Sequence, residues 1–137
     1  MNVARAEKQL SFINYSYALS ISARMYALNM AIRGETSHNF TTWDEKLKGI
    51  KTGLNTFKET WLQDYRNVKI NECLAWLPTK RIYSSYLKLI YRIAHVFDDS
   101  PNHAAIVYNR DAIYAGWGIV EDFDGYWICL YVATENK

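Results

Sequence analysis

This chain contains only three histidines, and His103 stands directly between a Ser-Pro-Asn turn and a short apolar run. Imidazole binds metal ions and transfers protons near neutral pH, so a histidine placed at a turn is a candidate for chemistry. Two interpretations are open at this point. His103 is either a polar residue at the start of a helix, or it faces a cleft shared with residues from elsewhere in the chain.

Other residue types capable of nucleophilic or metal chemistry give weaker signals. Cys73 and Cys129 have no CxxC spacing, which excludes a cysteine zinc site. They either form one disulfide or remain two buried free thiols. Because the negative charge of Glu72 disfavours a neighbouring thiolate, we expect Cys73 to be a small buried apolar side chain. Ser37 and Ser100 come with no oxyanion-hole signature, which argues against a serine triad.

The segment AGWGI places Gly116 and Gly118 on either side of Trp117. It lacks the third glycine and the following helix of a phosphate-binding loop. In a strand, alternating glycines leave bare backbone on one face, where a helix or a ligand can approach closely. We favour helix packing over a ligand groove, with Trp117 on the opposite face.

Apolar periodicity predicts a helical N-terminal part that positions these residues. Residues 10–32 carry one helical stripe, with a break into two helices near Ser20 as an alternative, and Gly34 closes the helix in a left-handed conformation. Thr42 and Glu45 have the spacing of a capping box, which starts a second helix. The first stripe consists of Leu10, Ile13, Tyr17, Ile21, Met25, Leu28 and Ile32.

The second helix is expected to run to about Tyr65. After it, the residue pattern indicates strands as well as helices. The segment NVKINECLAWLP predicts extended or irregular structure, and a further helix follows up to Phe97. Two segments rich in β-branched and aromatic residues, DAIYAGWGIVED and YWICLYVATE, predict strands joined by a DFDG turn. Strands packed against several helices indicate an α+β domain or a three-layer arrangement.

Length and composition indicate one domain spanning residues 1–137. Half of the residues are apolar, which argues against disorder, and eleven tyrosines and five tryptophans suit half-buried positions or a recognition surface. Sixteen basic against fourteen acidic residues argue against nucleic acid as the main partner. Residues 10–32 are too polar in places for a transmembrane segment, and no signal peptide is evident.

Several motifs occur in an order that resembles a known family. The chain shows MYALNMAIRGETSHNF, then NECLAW, then SPNHAAIV, then AGWGI and GYWICLYV. This order resembles the CAP superfamily, the cysteine-rich secretory, antigen 5 and pathogenesis-related proteins, whose common unit is the SCP domain. In the resemblance, His38 and His103 match the two family histidines, and Glu72 matches a family glutamate. Residues 43–65 fit the family pattern least well.

The resemblance implies a three-layer α-β-α sandwich of CAP/SCP type, with a helical N-terminal part and C-terminal antiparallel strands. In its fullest form the family cleft contains two histidines and two glutamates, which bind a divalent metal such as zinc in some members. Here the second glutamate is missing from the helix before SPNH. His38, Glu72 and His103 are therefore the candidate ligands for a cleft site, and zinc is the candidate cofactor.

Three functions follow as hypotheses. The first is a non-catalytic binding or interaction module whose cleft at His38, Glu72 and His103 binds a divalent metal or a small ligand. The resemblance implies lipids or sterols as ligands of some relatives. The second is a metal-assisted hydrolase that uses the same cleft, because two imidazoles and a carboxylate suffice for a zinc site with an open position. No residue is assigned a catalytic role.

The third hypothesis is an accessory protein that binds another protein through its Tyr/Trp and basic surface. The basic side chains on the helix before SPNH are the candidate partner surface, since no acidic residue offsets them from Arg81 to Phe97. These are Lys80, Arg81, Lys88 and Arg92. The small number of cysteines and the missing leader favour a cytoplasmic or particle-associated setting.

Overall fold

Two layers of helices enclose a four-stranded sheet in the computed structural model, which describes residues 1–78 and 85–136. The elements are α1 Asn2–Glu7, β1 Asn14–Tyr15, α2 Tyr17–Arg33, α3 Trp43–Thr56, α4 Trp61–Asp64, β2 Val68–Pro78, α5 Tyr86–Ala94, α6 Pro101–Val107, β3 Ala112–Glu121 and β4 Gly125–Glu135. The sheet has the order β1-β3-β4-β2, with β1 parallel to β3 and the other pairs antiparallel.

The apolar core lies on both faces of this sheet. Helices α2, α3 and α4 bury side chains against one face, and α5, α6 and the N-terminal segment pack against the other. Strand β4 lies between β3 and β2, and its residues from Trp127 to Thr134 are buried. A strand covered on both faces needs a nearly continuous apolar run, which WICLYVA supplies. The predicted α+β, three-layer sandwich is confirmed.

Helix α2 packs against strand β3 at the two glycines. A Cβ added to Gly116 would lie 2.2 Å from the backbone nitrogen of Ser20, and one added to Gly118 would lie 2.2 Å from the carbonyl carbon of Ala23. Real side chains do not tolerate such distances, so the helix sits where only bare backbone allows it. Trp117 packs on the other face, where its ring stacks on Phe97 at 6.1 Å. Helix packing at these glycines, as predicted, is confirmed.

Helix α2 differs from the prediction in its bounds and in the face it buries. It runs from Tyr17 to Arg33 without a break at Ser20, because Ser16 caps its start and Gly34 ends it at φ 65°. Close contact with β3 requires the small residues Ser20 and Ala23 to lie against the two glycines, so the large apolar stripe turns outward. Five of its residues are 44–77% exposed: Tyr17, Ile21, Met25, Leu28 and Ile32. We call these five residues the α2 stripe.

The other predicted elements are present with shifted ends. The predicted cap by Thr42 is confirmed, since its Oγ1 accepts a hydrogen bond from the backbone N–H of Glu45 at 3.2 Å and donates to Glu45 Oε1 at 3.1 Å. The helix ends at Thr56 rather than near residue 65, because Lys58 takes a left-handed conformation with φ 54° and α4 starts afresh. The segment predicted to be extended or irregular forms the long strand β2, Val68–Pro78, which begins one residue after Asn67 at φ 52°. Helix α5 ends at Ala94 rather than at Phe97, and the segment from 79 to 84 before it lies outside the described residues.

The two cysteines are free and buried on opposite faces of the sheet. Cys73 pairs with Leu130, and Leu74 pairs with Cys129, so the two thiols come from neighbouring positions on adjacent strands. Cys73 belongs to the core on the α6 side, and Cys129 to the core on the α2 side. Because successive side chains of a strand point to opposite faces, this register separates the thiols across the sheet. Of the two alternatives, the structure selects free thiols.

Candidate functional site

Glu72 stands at the centre of the candidate site because of its place in strand β2. The strand alternation puts Glu72 on the same face as Ile70 and Leu74, toward α2 and α3. Its side chain is only 5% exposed, and Tyr131 is its neighbour on β4. A carboxylate this buried requires hydrogen-bonding partners for both oxygens.

Three side chains supply those partners. His38 Nδ1 lies 2.7 Å from Glu72 Oε1, and Lys46 Nζ donates to the same oxygen at 2.9 Å. Tyr131 donates its hydroxyl hydrogen to Oε2 at 2.8 Å. Burial, together with the neighbouring Cys129 and Glu72, raises the pKa of Tyr131 far above its ordinary value, so this hydroxyl remains a donor. We call Glu72, His38, Lys46 and Tyr131 the Glu72 cluster.

Lys46 is the residue that sequence reasoning missed. It lies on α3 with its side chain only 5% exposed, and Nζ also donates to the backbone carbonyl of His38 at 2.7 Å. Nζ further lies 4.5 Å from the ring centroid of Tyr26 and 5.6 Å from that of Trp43. One signal was available: Lys46 falls three residues after Trp43 and four before Ile50, so it shares their apolar helix face.

His103 approaches this cluster from α6. Its ring lies 6.5 Å from that of His38, and the edge-to-face contact with Phe97 is at 5.1 Å. Burial, with a contribution from His38, lowers the pKa of His103 below its ordinary value, which favours the neutral imidazole. The structure thus brings all three sequence-predicted residues together, with His38 between Glu72 and His103.

An open cavity of about 400 Å³ lies beside the Glu72 cluster. It is formed by the loop after α2, the start of α3 and the strand β2. A second cavity of about 270 Å³ lies between α2 and α3, and Lys46 borders both. The first cavity is lined by His38, Asn39, Thr41, Thr42, Trp43, Lys46, Ile70, Asn71 and Glu72.

The residues present do not fit a divalent metal. Both oxygens of Glu72 are already engaged, one of them by an ammonium group, and His38 directs Nδ1 at the carboxylate. A zinc ion here would stand next to the positive charge of Lys46. Within residues 1–78 and 85–136, no group of three or more His, Cys, Asp or Glu side chains is arranged to hold a metal ion.

Among residues 1–78 and 85–136, the side chains near the cleft do not form an activated nucleophile. Ser37 Oγ accepts a hydrogen bond from the backbone N–H of Asn39, and the backbone carbonyl of Ser37 accepts one from Tyr26. Burial, with the nearby Glu72, raises the pKa of Cys73 to about 12, and this thiol belongs to the opposite core. His38 and Glu72 form an oriented imidazole–carboxylate pair, which is the base half of a triad without its nucleophile.

The predicted basic surface is only partly described. Lys80 and Arg81 lie outside the described residues. Lys88 is exposed on α5, and Arg92 is half-buried in its last turn. No helix within the described part of the chain is long and apolar enough to cross a membrane.

Solved structures with the same fold include SCP-domain proteins. No family model and no curated protein matches this sequence. An outer surface protein from Borrelia burgdorferi is 17% identical with a TM-score of 0.63, and the match covers 98% of this chain and 86% of that one. A cysteine-rich secretory protein from Staphylococcus aureus (16%, TM-score 0.52) and an extracellular SCP-domain protein from Bacillus anthracis (14%, TM-score 0.55) are each matched over 96% of this chain.

These likenesses show a CAP-like fold. The Staphylococcus and Bacillus proteins are much longer, since the match covers 35% and 37% of their chains. The CAP-like architecture predicted from the motif order is confirmed. The missing second glutamate is not replaced by an acid from residues 43–65, because that segment directs Lys46 at Glu72 instead.

Proposed function

We propose that residues 1–137 form a single CAP-like domain that acts as a non-catalytic binding module, with a small polar ligand in the cleft of His38, Glu72 and His103. The observation that carries this proposal is the Glu72 cluster beside an open cavity of about 400 Å³. A buried, fully paired carboxylate holds His38, whose side chain is 52% exposed, at the mouth of that cavity. A prearranged polar group in a concave site is typical of ligand recognition.

The cavity lining indicates the chemistry of the ligand. Asn39 and Asn71 offer amide donors and acceptors, and Thr41 and Thr42 offer hydroxyl groups. Lys46 contributes little free charge because Glu72 pairs with it. We therefore infer a small ligand bound through several neutral hydrogen bonds, such as a sugar or an amide.

The test is an NMR titration with a library of small sugars, amides and carboxylates. We expect at least one of them to shift the backbone amide signals of residues 38–42 and 70–72, and His38→Ala with Asn71→Ala to weaken its binding about tenfold or more. Lys69→Ala changes an exposed residue on the same strand and serves as the matched control. Equal binding by wild type and the double variant would remove the cleft from consideration.

A second candidate function is an accessory protein that binds another protein through the α2 stripe. Five large apolar side chains in a row on one exposed helix face are unusual for a monomer. The helix also carries two exposed arginines, Arg24 and Arg33, and no acidic residue, which favours a partner with an acidic rim.

Cross-linking of wild type beside Met25→Glu tests this candidate. Met25 is 68% exposed, so the charge should leave the fold intact and abolish the contact. Lys51→Glu, at an exposed position of α3, is the control for added negative charge. Identical cross-linked species for all three proteins would argue against the α2 stripe as an interface.

The names of the similar solved structures suggest a cellular location for this module. The similar structures bear the names of outer surface, secretory and extracellular proteins. These names do not fit a cytoplasmic setting well, so we propose that this module works outside the cytoplasm. Fractionation of the source cells with an antibody against residues 1–137 checks this, and a purely cytosolic signal contradicts it.

A further inference from the structure

Lys46 places its ammonium group 2.9 Å from the buried carboxylate of Glu72. We propose that its ammonium group is a built-in cation that takes the place of a divalent metal at Glu72, so that the cleft works without metal. We further infer that removing this side chain leaves His38, Glu72 and His103 free to bind zinc. The inference concerns the internal charge of the cleft and does not depend on the ligand-binding proposal.

The contacts around Nζ are those of a complete cation site. Two oxygens accept from it, Glu72 Oε1 at 2.9 Å and the carbonyl oxygen of His38 at 2.7 Å. The face of the Tyr26 ring lies on another side at 4.5 Å. Carboxylate, carbonyl and aromatic face are the groups that attract a desolvated ammonium most strongly. Lys46 therefore resides in the cleft as a fixed part of it.

The sequence around Lys46 explains how the ammonium reaches Glu72. The capping residue Thr42 fixes the start of α3, and the buried side chains of Ile50 and Leu54 place this helix face toward the sheet. Lys46 shares that face, so its side chain is forced inward beside the neighbouring strand. Because Glu72 is the buried carboxylate within reach, burial of either charge requires the other.

A free cation and Lys46 are mutually exclusive at this carboxylate. Nζ occupies the approach to Oε1, and its positive charge repels a second cation at this carboxylate, since both side chains are only 5% exposed. His38 and His103 are already close, with ring centroids 6.5 Å apart, and zinc–nitrogen bonds of about 2.0–2.1 Å would require the rings to approach by about 1 Å. His38 is half-exposed and has room for that movement.

Calorimetric titration with zinc chloride tests this, with wild type beside Lys46→Ala, Lys46→Ala/His103→Ala and the control Lys48→Ala. Lys48 is an exposed lysine on the same helix. We expect no zinc binding by wild type or by Lys48→Ala. We expect one zinc ion per chain for Lys46→Ala, with at least about tenfold weaker binding once His103 is also removed.

Two results would overturn the proposal. One is stoichiometric zinc binding by wild type that disappears in His38→Ala/His103→Ala, because the ammonium would then not exclude the metal. The other is a Lys46→Ala protein that binds no zinc or binds it equally well without His103. If the Lys46→Ala protein is unfolded in the absence of zinc, near-UV circular dichroism replaces calorimetry as the measurement. Zinc must then restore the fold, and failure to do so counts against the proposal.

Discussion

Two histidine–carboxylate pairs in this molecule have the same length and different surroundings. His38 Nδ1 and His95 Nδ1 each lie 2.7 Å from a carboxylate oxygen, of Glu72 and Asp98 respectively. The Glu72 side chain is 5% exposed and that of Asp98 is 35% exposed. Of these two carboxylates, Glu72 is the one that also pairs with a buried lysine, Lys46. The distance between two charged groups therefore says little until the burial of the carboxylate and its other partners are known.

The pair of His95 and Asp98 belongs to a set of contacts that joins α1, the turn after α5 and the end of α6. His95 Nε2 also lies 3.2 Å from Glu7 Oε2, and Tyr108 donates its hydroxyl hydrogen to Asp98 Oδ1 at 2.5 Å. The buried cation of this region is Arg5, which donates to backbone carbonyls rather than to a carboxylate. Its acceptors are the carbonyl oxygens of Ser11, Val107 and Asn109. The two regions thus stabilise a buried cation in two different ways.

The largest expected effect is that of Lys46→Met, which leaves the Glu72 carboxylate buried without its lysine. We expect a loss of about 3–5 kcal/mol in the free energy of unfolding, as for broken buried ion pairs. The double variant Lys46→Met/Glu72→Gln removes both charges and should recover most of this loss. Urea denaturation measures both, with Lys48→Met as the exposed control on α3. Similar losses for single and double variants would mean that the charge pair is not the cause.

Arg5→Met should have the next largest effect. Arg5 is fully buried, and the substitution leaves the carbonyls of Val107 and Asn109 without these donors. We expect a loss of about 2–3 kcal/mol, since each buried unpaired acceptor costs about 1–3 kcal/mol. Urea denaturation again gives the value, and Arg110→Met, at an exposed position, is the control. A loss as small as that of the control would mean that the hydrogen bonds of Arg5 to Val107 and Asn109 do not stabilise the packing of α1 on α6.

Asp98→Asn tests the exposed half of the comparison. Because Asp98 is partly solvated, we expect a loss of at most about 1 kcal/mol, the usual range for surface ion pairs. In high salt, the same denaturation experiment should give an even smaller loss in the free energy of unfolding for Asp98→Asn. A loss as large as that of Lys46→Met would show that burial does not separate the two pairs.

The smallest effect is expected from the titration of His103. Burial and His38 hold its pKa below the ordinary 6.5, so the unfolded chain binds a proton here more readily than the folded protein. This contribution is therefore zero well above pH 6.5 and destabilises the fold increasingly as the pH falls below it. We expect His103→Phe to make the fall in stability from pH 8 to pH 5 shallower. Thermal unfolding at several pH values measures the slope, and an unchanged slope would contradict this account.

Helix α2 shows why periodicity located an element without deciding its inner face. The apolar stripe correctly predicted a helix, but the opposite face is apolar as well, with alanines beside Leu19, Tyr26 and Met30. Close packing on Gly116 and Gly118 requires the face that carries Ser20 and Ala23. Predicting this face from the sequence would have required pairing the glycines of β3 with the small residues of α2, which lie far apart along the chain.

Sequence patterns predicted the two long helices, the extended segment of β2, the caps at Thr42 and Gly34 and the hairpin of β3 and β4, but not α1, β1 or α4. The resemblance to SCP domains predicted that His38, Glu72 and His103 lie near one another. These follow from local backbone preferences, apolar periodicity and a motif order that resembles SCP domains. The pairing of Lys46 with Glu72 and the outward direction of the α2 stripe became known from the tertiary structure. Both depend on which surfaces meet, and the contact between an α3 lysine and a β2 carboxylate has no local signature in the chain.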